Sequence, residues 1–161
     1  AVADDRSFLV IDLGKADNLM KGTNFDVYGI GKGGREVPKG VAKVVSIDNQ
    51  SAKASIVQLF DTYNPIVPGD NIRSYTYDPN ETIHFALVGR FVKMGKSDAA
   101  RRLQALGAAV DNNVGLSTHY LVIGQDESEN EPIEETQAYK DARLYCIQVI
   151  TEAERSRFTM Y

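Results

Sequence analysis

The apolar residues of this 161-residue chain come in short, strand-sized runs such as Phe8–Ile11, and up to about Asn80 only turns separate them. Ser7–Leu13 reads as a strand that ends at Gly14. Asn24–Gly29 sets Phe25 and Val27 on one side and Asp26 and Tyr28 on the other, the period of a half-buried strand. Gly31–Gly34 is a turn cluster that closes a hairpin; no helix follows it, so it is not a dinucleotide fingerprint. Gly40–Ile47, Ala52–Leu59 and Asn71–Thr76 are further strands, and Pro68-Gly69-Asp70 makes a sharp turn before the last of them. No amphipathic helix interrupts the series. Five or six short strands must share one buried face, which predicts a small all-β barrel or sandwich.

After Tyr77-Asp78-Pro79-Asn80 the rhythm changes. Ile83–Val88 is an apolar strand. Ser97–Leu106 reads as a helix capped by Ser97, with Asp98 at its positive end, Gly107 at its stop and Ala100, Leu103 and Leu106 inward. Tyr120–Ile123 is a buried strand, and Gln125–Glu135, with six acidic residues, is a solvated loop. Thr136–Leu144 is helical and Cys146–Ile150 is a strand. Thr151 with Glu154 forms the capping-box pattern of a last helix. Alternating strands and helices predict a small parallel α/β sheet. The chain thus divides into a β module, residues 1–78, and an α/β domain, residues 79–161.

Four segments of the second half resemble a known family. Phe85-Ala86-Leu87-Val88-Gly89-Arg90-Phe91 is similar to the first strand and turn of BRCT domains. Leu106-Gly107-Ala108-Ala109-Val110 resembles the connection into the family's second strand. Ser117-Thr118-His119-Tyr120-Leu121-Val122-Ile123-Gly124 resembles the third. Ala142–Ile150 follows the pattern joining the second helix to the fourth strand. The single BRCT domain of bacterial DNA ligases is the nearest in character. The resemblance implies a four-stranded parallel sheet flanked by helices, used to bind partners and not to do chemistry. Some BRCT domains read phosphopeptides with a Ser or Thr before the turn glycine, that glycine's N–H, and a Lys near the start of the second helix. Here Val88 and Ala138 stand at the two side-chain positions and only Gly89 remains. A phosphate left with one of three donors loses most of its charge-assisted binding, so the resemblance implies a pocket that has been lost. In the first half, Gly22-Thr23-Asn24-Phe25-Asp26-Val27-Tyr28, Gly40-Val41-Ala42-Lys43-Val44 and Pro68-Gly69-Asp70-Asn71-Ile72 resemble small β modules of bacterial envelope proteins. The C-terminal domain of the flagellar assembly protein T is one example.

Charge narrows the function further. Eighteen basic against 22 acidic residues give a net charge of -4, the wrong sign for a general affinity for nucleic acid. One cysteine excludes an internal disulfide, and two histidines make a multi-histidine metal centre unexpected. The candidate binding surface is the stretch holding Gly89, Arg90, Lys93, Lys96, Ser97 and Arg101, where cations gather around a turn and the start of a helix. The same stretch imitates a phosphate-binding P-loop. Five residues separate Gly89 from Gly95, where that loop needs four, and no partner Asp follows an apolar strand. Ser117 and His119 share a strand face, but no orienting carboxylate can be named for them. The BRCT resemblance implies instead that hydroxyl and imidazole in this segment bond nearby backbone. His84 is expected to pack half-buried, Cys146 to be a small core residue, Tyr28, Tyr63, Tyr75 and Tyr77 to pack in core or hairpin, and the acidic loop to hold no Ca²⁺.

The expectation is a two-domain, non-enzymatic interaction or scaffold protein without cofactor or metal, bound to a protein partner or a second copy. The alternative is a DNA-end or phosphate-recognising accessory domain using the Arg90–Arg102 cluster, and after it a degenerate P-loop nucleotide binder. No run is long enough for a transmembrane helix. Ala1 is not a Met and nothing before Phe8 reads as a signal peptide, so the chain is expected to be a fragment or processed form. A bacterial source and the periplasmic side of the envelope are favoured over the cytoplasm.

Overall fold

The computed structural model describes residues 7–92, 94–125 and 132–152. They fall into two compact units that divide between Asn80 and Glu81.

The first unit is a five-stranded antiparallel sheet that curls into a half-barrel. Its strands are β1 (Phe8–Ile11), β2 (Asn24–Ile30), β3 (Glu36–Ile47), β4 (Ala52–Leu59) and β5 (Asn71–Arg73), in the order β1-β4-β3-β2-β5. Alternation does what the sequence suggests. Phe25 and Val27 lie in the core with Leu9, Ile11, Val44 and Ile66, while Asp26 and Tyr28 stay half-exposed on the other face. Two strands differ from expectation for local reasons. β3 starts four residues early, at Glu36, because a bulge absorbs Pro38: Val27 pairs Gly40 while Tyr28 pairs Pro38, leaving Lys39 as the extra residue. β5 stops at Arg73, and next to it the Thr76 amide turns to the Ser74 hydroxyl (3.3 Å), a local bond that competes with a ladder. Tyr77 is buried; its ring meets Phe25 edge-on at 6.0 Å and its hydroxyl donates to the Asp17 carbonyl at 2.8 Å. Tyr28 and Tyr75 lie beneath Arg73, whereas Tyr63 is almost fully exposed, so it does not join the expected packing.

Lys39, the bulged residue, turns inward and is buried. Its Nζ donates to both carboxylate oxygens of Asp70 at 2.8 and 2.9 Å, and Asp70 also accepts the Val67 amide at 2.8 Å. One ion pair therefore fixes both the bulge and the Pro68-Gly69-Asp70 turn that launches β5.

The second unit is a four-stranded sheet, all parallel, in the order β7-β6-β8-β9. The elements are β6 (His84–Val88), α1 (Lys96–Ala105), β7 (Ala109–Asp111), β8 (Tyr120–Ile123), α2 (Gln137–Leu144) and β9 (Gln148–Thr151). Phe85, Ala86 and Leu87 are all buried, as the continuous apolar run of a strand covered on both faces requires. Phe85, Leu87, Val122 and Ile150 meet Ala99 and Leu103 of α1. Ala86 and Leu121 face the other way and meet Ala142, with Ala138 partly buried beside them, on α2.

α1 begins one residue before its expected cap. Gly95 is the flanking residue, Ser97 lies inside the helix, and Ala99, not Ala100, is the residue fully buried beside Leu103. Thr136 caps α2 through its side chain. Cys146 is exposed and has φ 56, against the expectation of a core residue: it occupies the left-handed turn between α2 and β9, where its side chain points away from the sheet's interior. Most of the acidic loop (126–131) and the expected last helix beyond Glu152 lie outside the described residues. Among the described residues no helix is long and apolar enough to cross a membrane.

Candidate functional site

In a parallel α/β sheet, ligand sites form beyond the carboxyl ends of the strands, and the sequence places its candidate residues there. The turn after β6 is held by backbone. The Gly124 amide bonds the Val88 carbonyl at 2.9 Å, and Arg90 and Gln125 exchange two backbone bonds of 2.8 Å. Gly89 has φ 83, and a Cβ there would stand 2.6 Å from the Gln125 carbonyl oxygen and 2.8 Å from Ile133 Cδ1. Only glycine fits. Phe91 then returns to the core, and the Val92 amide donates to Glu152 at 3.0 Å, tying the connection to the end of β9.

The predicted set is carried by two stretches, the turn after β6 and the first turns of α1. Arg90 is exposed at the turn. Lys96, Ser97 and Arg101 are exposed on the first turns of α1, where 100° per residue spreads them over an arc of about 140°. Arg101 is paired with Asp98. Arg90 and Lys96 have no carboxylate in ion-pair range among the described residues. Lys93 lies outside the described residues.

Beside Gly89 is a cavity of ≈ 380 Å³ lined by Ile123, Gly124, Gln125, Ile133 and Glu134. It offers apolar surface, backbone, the Gln125 side chain and one carboxylate, and among the described residues no cation lines it. Val88 packs with the Leu121 cluster, and Ala138 is turned into the same cluster from α2. A phosphate here would meet a carboxylate, aliphatic groups and the neutral Gln125 side chain, and no cationic side-chain donor that the described residues supply.

The densest polar cluster lies elsewhere, around the amino end of β6. His84 Nδ1 is 2.8 Å from Asp111 Oδ1, and the Thr118 hydroxyl donates to Asp111 Oδ2 at 2.9 Å while accepting the Gly115 amide at 3.0 Å. The His84 amide donates to His119 Nδ1 at 3.1 Å, the His119 amide donates to the His84 carbonyl at 2.9 Å, and His119 Nε2 is 3.6 Å from Glu81. The expected backbone bonding of hydroxyl and imidazole is present. The sequence reading missed Asp111, which serves Thr118 and His84 together. Its only signal was a lone carboxylate closing the Ala108-Ala109-Val110 run. Ser117 is exposed and stands outside the net, so no nucleophile–base pair forms with His119. Among the described residues no three His, Cys, Asp or Glu side chains are placed to hold a metal ion.

Comparison with known proteins agrees with this architecture. Residues 76–154 match the family model of the BRCA1 C Terminus (BRCT) domain. A DNA ligase of Bacillus cytotoxicus is 28% identical over 114 residues, 68% of this chain and 16% of the ligase. A DNA ligase of Bacillus cereus matches to the same extent, and one of Dehalococcoides mccartyi is 23% identical over 78 residues, 48% of this chain and 12% of the ligase. The chain thus spans less than a fifth of the length of these relatives. With its parallel sheet, one helix on each face and the family match over the same residues, the C-terminal unit of this chain is a divergent BRCT domain.

Proposed function

We propose that the BRCT unit is a non-enzymatic docking module that binds a protein partner without reading a phosphate. The observation that carries this reading is the cavity beside Gly89, which presents Ile123, Ile133 and Glu134 and no cation among the described residues. Val88 and Ala138 are committed to packing and supply no donors. Recognition then rests on surface shape and apolar contact, with Leu116, Leu144, Tyr145 and Val92 among the large side chains that this unit exposes. Fluorescence polarisation with labelled phosphoserine and phosphothreonine peptides tests it. No saturable binding at millimolar protein is expected, and a phosphate-dependent Kd in the micromolar range contradicts it.

A second reading is favoured by the relatives, which are DNA ligases. In it, exposed Arg90, Lys96, Arg101 and Arg102 contact the phosphates of a DNA end. Binding of a 5′-phosphorylated duplex that weakens steeply with salt, by about 0.9 in the log–log slope per phosphate contact, supports this reading over the first. The pairing of Arg101 with Asp98 and the acidic net charge count against it.

A further inference from the structure

His119 carries one in-plane lone pair on Nδ1, and the His84 amide occupies it at 3.1 Å. A proton on Nδ1 and the His84 N–H cannot share that lone pair. The bond sits where β6 and β8 begin to pair: the His119 amide returns a bond to the His84 carbonyl at 2.9 Å, and Phe85 pairs with Tyr120 one residue on. The titratable and charged groups facing the pair come from three segments. Glu81, ahead of β6, stands 3.6 Å from His119 Nε2; the His84 ring lies 6.0 Å from the His119 ring at 30°; and Asp111 of β7 holds His84 Nδ1 at 2.8 Å. Among the described residues no other carboxylate or cation is in ion-pair range of either imidazole.

We propose that His119 is a protonation-gated joint between β6 and β8: binding a proton at Nδ1 releases the His84 amide and loosens the amino end of the parallel sheet. The neutral state fixes one tautomer, with hydrogen on Nε2 facing Glu81 and none on Nδ1. His84 plays a different part, because its Nδ1–H donates to a carboxylate, so a further proton enters at Nε2 and breaks no backbone bond. The joint lies away from the Gly89 turn and needs neither reading of that surface.

Amide exchange of the whole chain, followed by NMR and expressed as protection relative to intrinsic exchange, tests the joint. As the pH is lowered from about 8 to about 5, the His84 amide should lose about tenfold in protection, the scale of one net hydrogen bond. His119→Asn places an oxygen acceptor the same number of bonds from the backbone and cannot ionise. Its His84 protection should stay within about twofold over the same range. Flat protection in the unmodified chain, or an equal loss in His119→Asn, overturns the proposal. Should that variant not fold, the ring nitrogens of His119 in the unmodified chain decide: a bare Nδ1 near pH 8 that gains a proton as the His84 amide shifts supports the joint, and a proton already on Nδ1 near pH 8 overturns it.

Discussion

The two units finish their small sheets by different means. The β unit relies on buried polar side chains that reach across the sequence: Lys39 to Asp70, and Tyr77 to Asp17. The BRCT unit keeps the middle of its central strands, β6 and β8, apolar through both faces and lets backbone bonds shape the carboxyl-end turn, with Gly89 and the Arg90–Gln125 bridge. Its polar side chains gather near the amino end of β6. Side-chain chemistry is thus used for architecture in the first unit and in the amino-end net of the second, while the cavity beside Gly89, at the carboxyl end of the sheet, presents Ile123, Ile133, Gln125 and Glu134.

The largest effect expected from breaking this contrast is in the β unit. Lys39→Ala leaves Asp70 buried without its cation and should cost about 3–5 kcal/mol in urea unfolding, whereas exchanging both partners for apolar residues of similar volume should cost much less. In the BRCT unit the comparable weak point is backbone. Gly89→Ala places a Cβ against the Gln125 carbonyl oxygen and Ile133 Cδ1 at positive φ and should cost about 3 kcal/mol by the same measurement.

Tyr77 sharpens the contrast on the pH axis. Burial, and after it the nearby Asp17 and Asp78, raise its pKa above the ordinary 10.0. The folded state then holds this proton more tightly than the unfolded chain. The stabilisation is complete below pH ~10 and is lost as pH rises from there through the raised value. Tyr77→Phe should cost about 1 kcal/mol at neutral pH through the lost bond to Asp17, and should remove part of the alkaline destabilisation seen in denaturant melts. The smallest effect should come from the exposed cations: Arg101→Ala breaks an exposed pair and should change stability by less than about 0.5 kcal/mol.

How much of this was legible in the sequence depended on whether a signal was local. Alternation in Asn24–Gly29 announced β2, and the apolar run before Gly89 announced β6. Pro38 hid the start of β3, because a bulge opposite Val27 and Tyr28 admits a proline that a regular ladder excludes. Ser97 looked like a cap, yet α1 starts at Lys96, with Gly95 as the flanking residue and no side-chain cap bond. The four-stranded parallel sheet was legible through the family motifs. Asp111 was not: its strand has three residues, too few for a period, and its partners Thr118 and His84 are 7 and 27 residues away. For the candidate surface, adjacency in sequence suggested a cluster around Arg90–Arg102, and α1 sets Ser97 and Arg101, four apart, on one face with Lys96 about 100° round from Ser97.

The most direct test of the central reading is to follow the backbone amides of Val88, Gly89 and Gln125 by NMR while a phosphoserine peptide is titrated to millimolar concentration. A docking module without a phosphate site leaves those three resonances in place, as does the same peptide without its phosphate. Saturable, phosphate-dependent shifts centred on Gly89 would contradict the account.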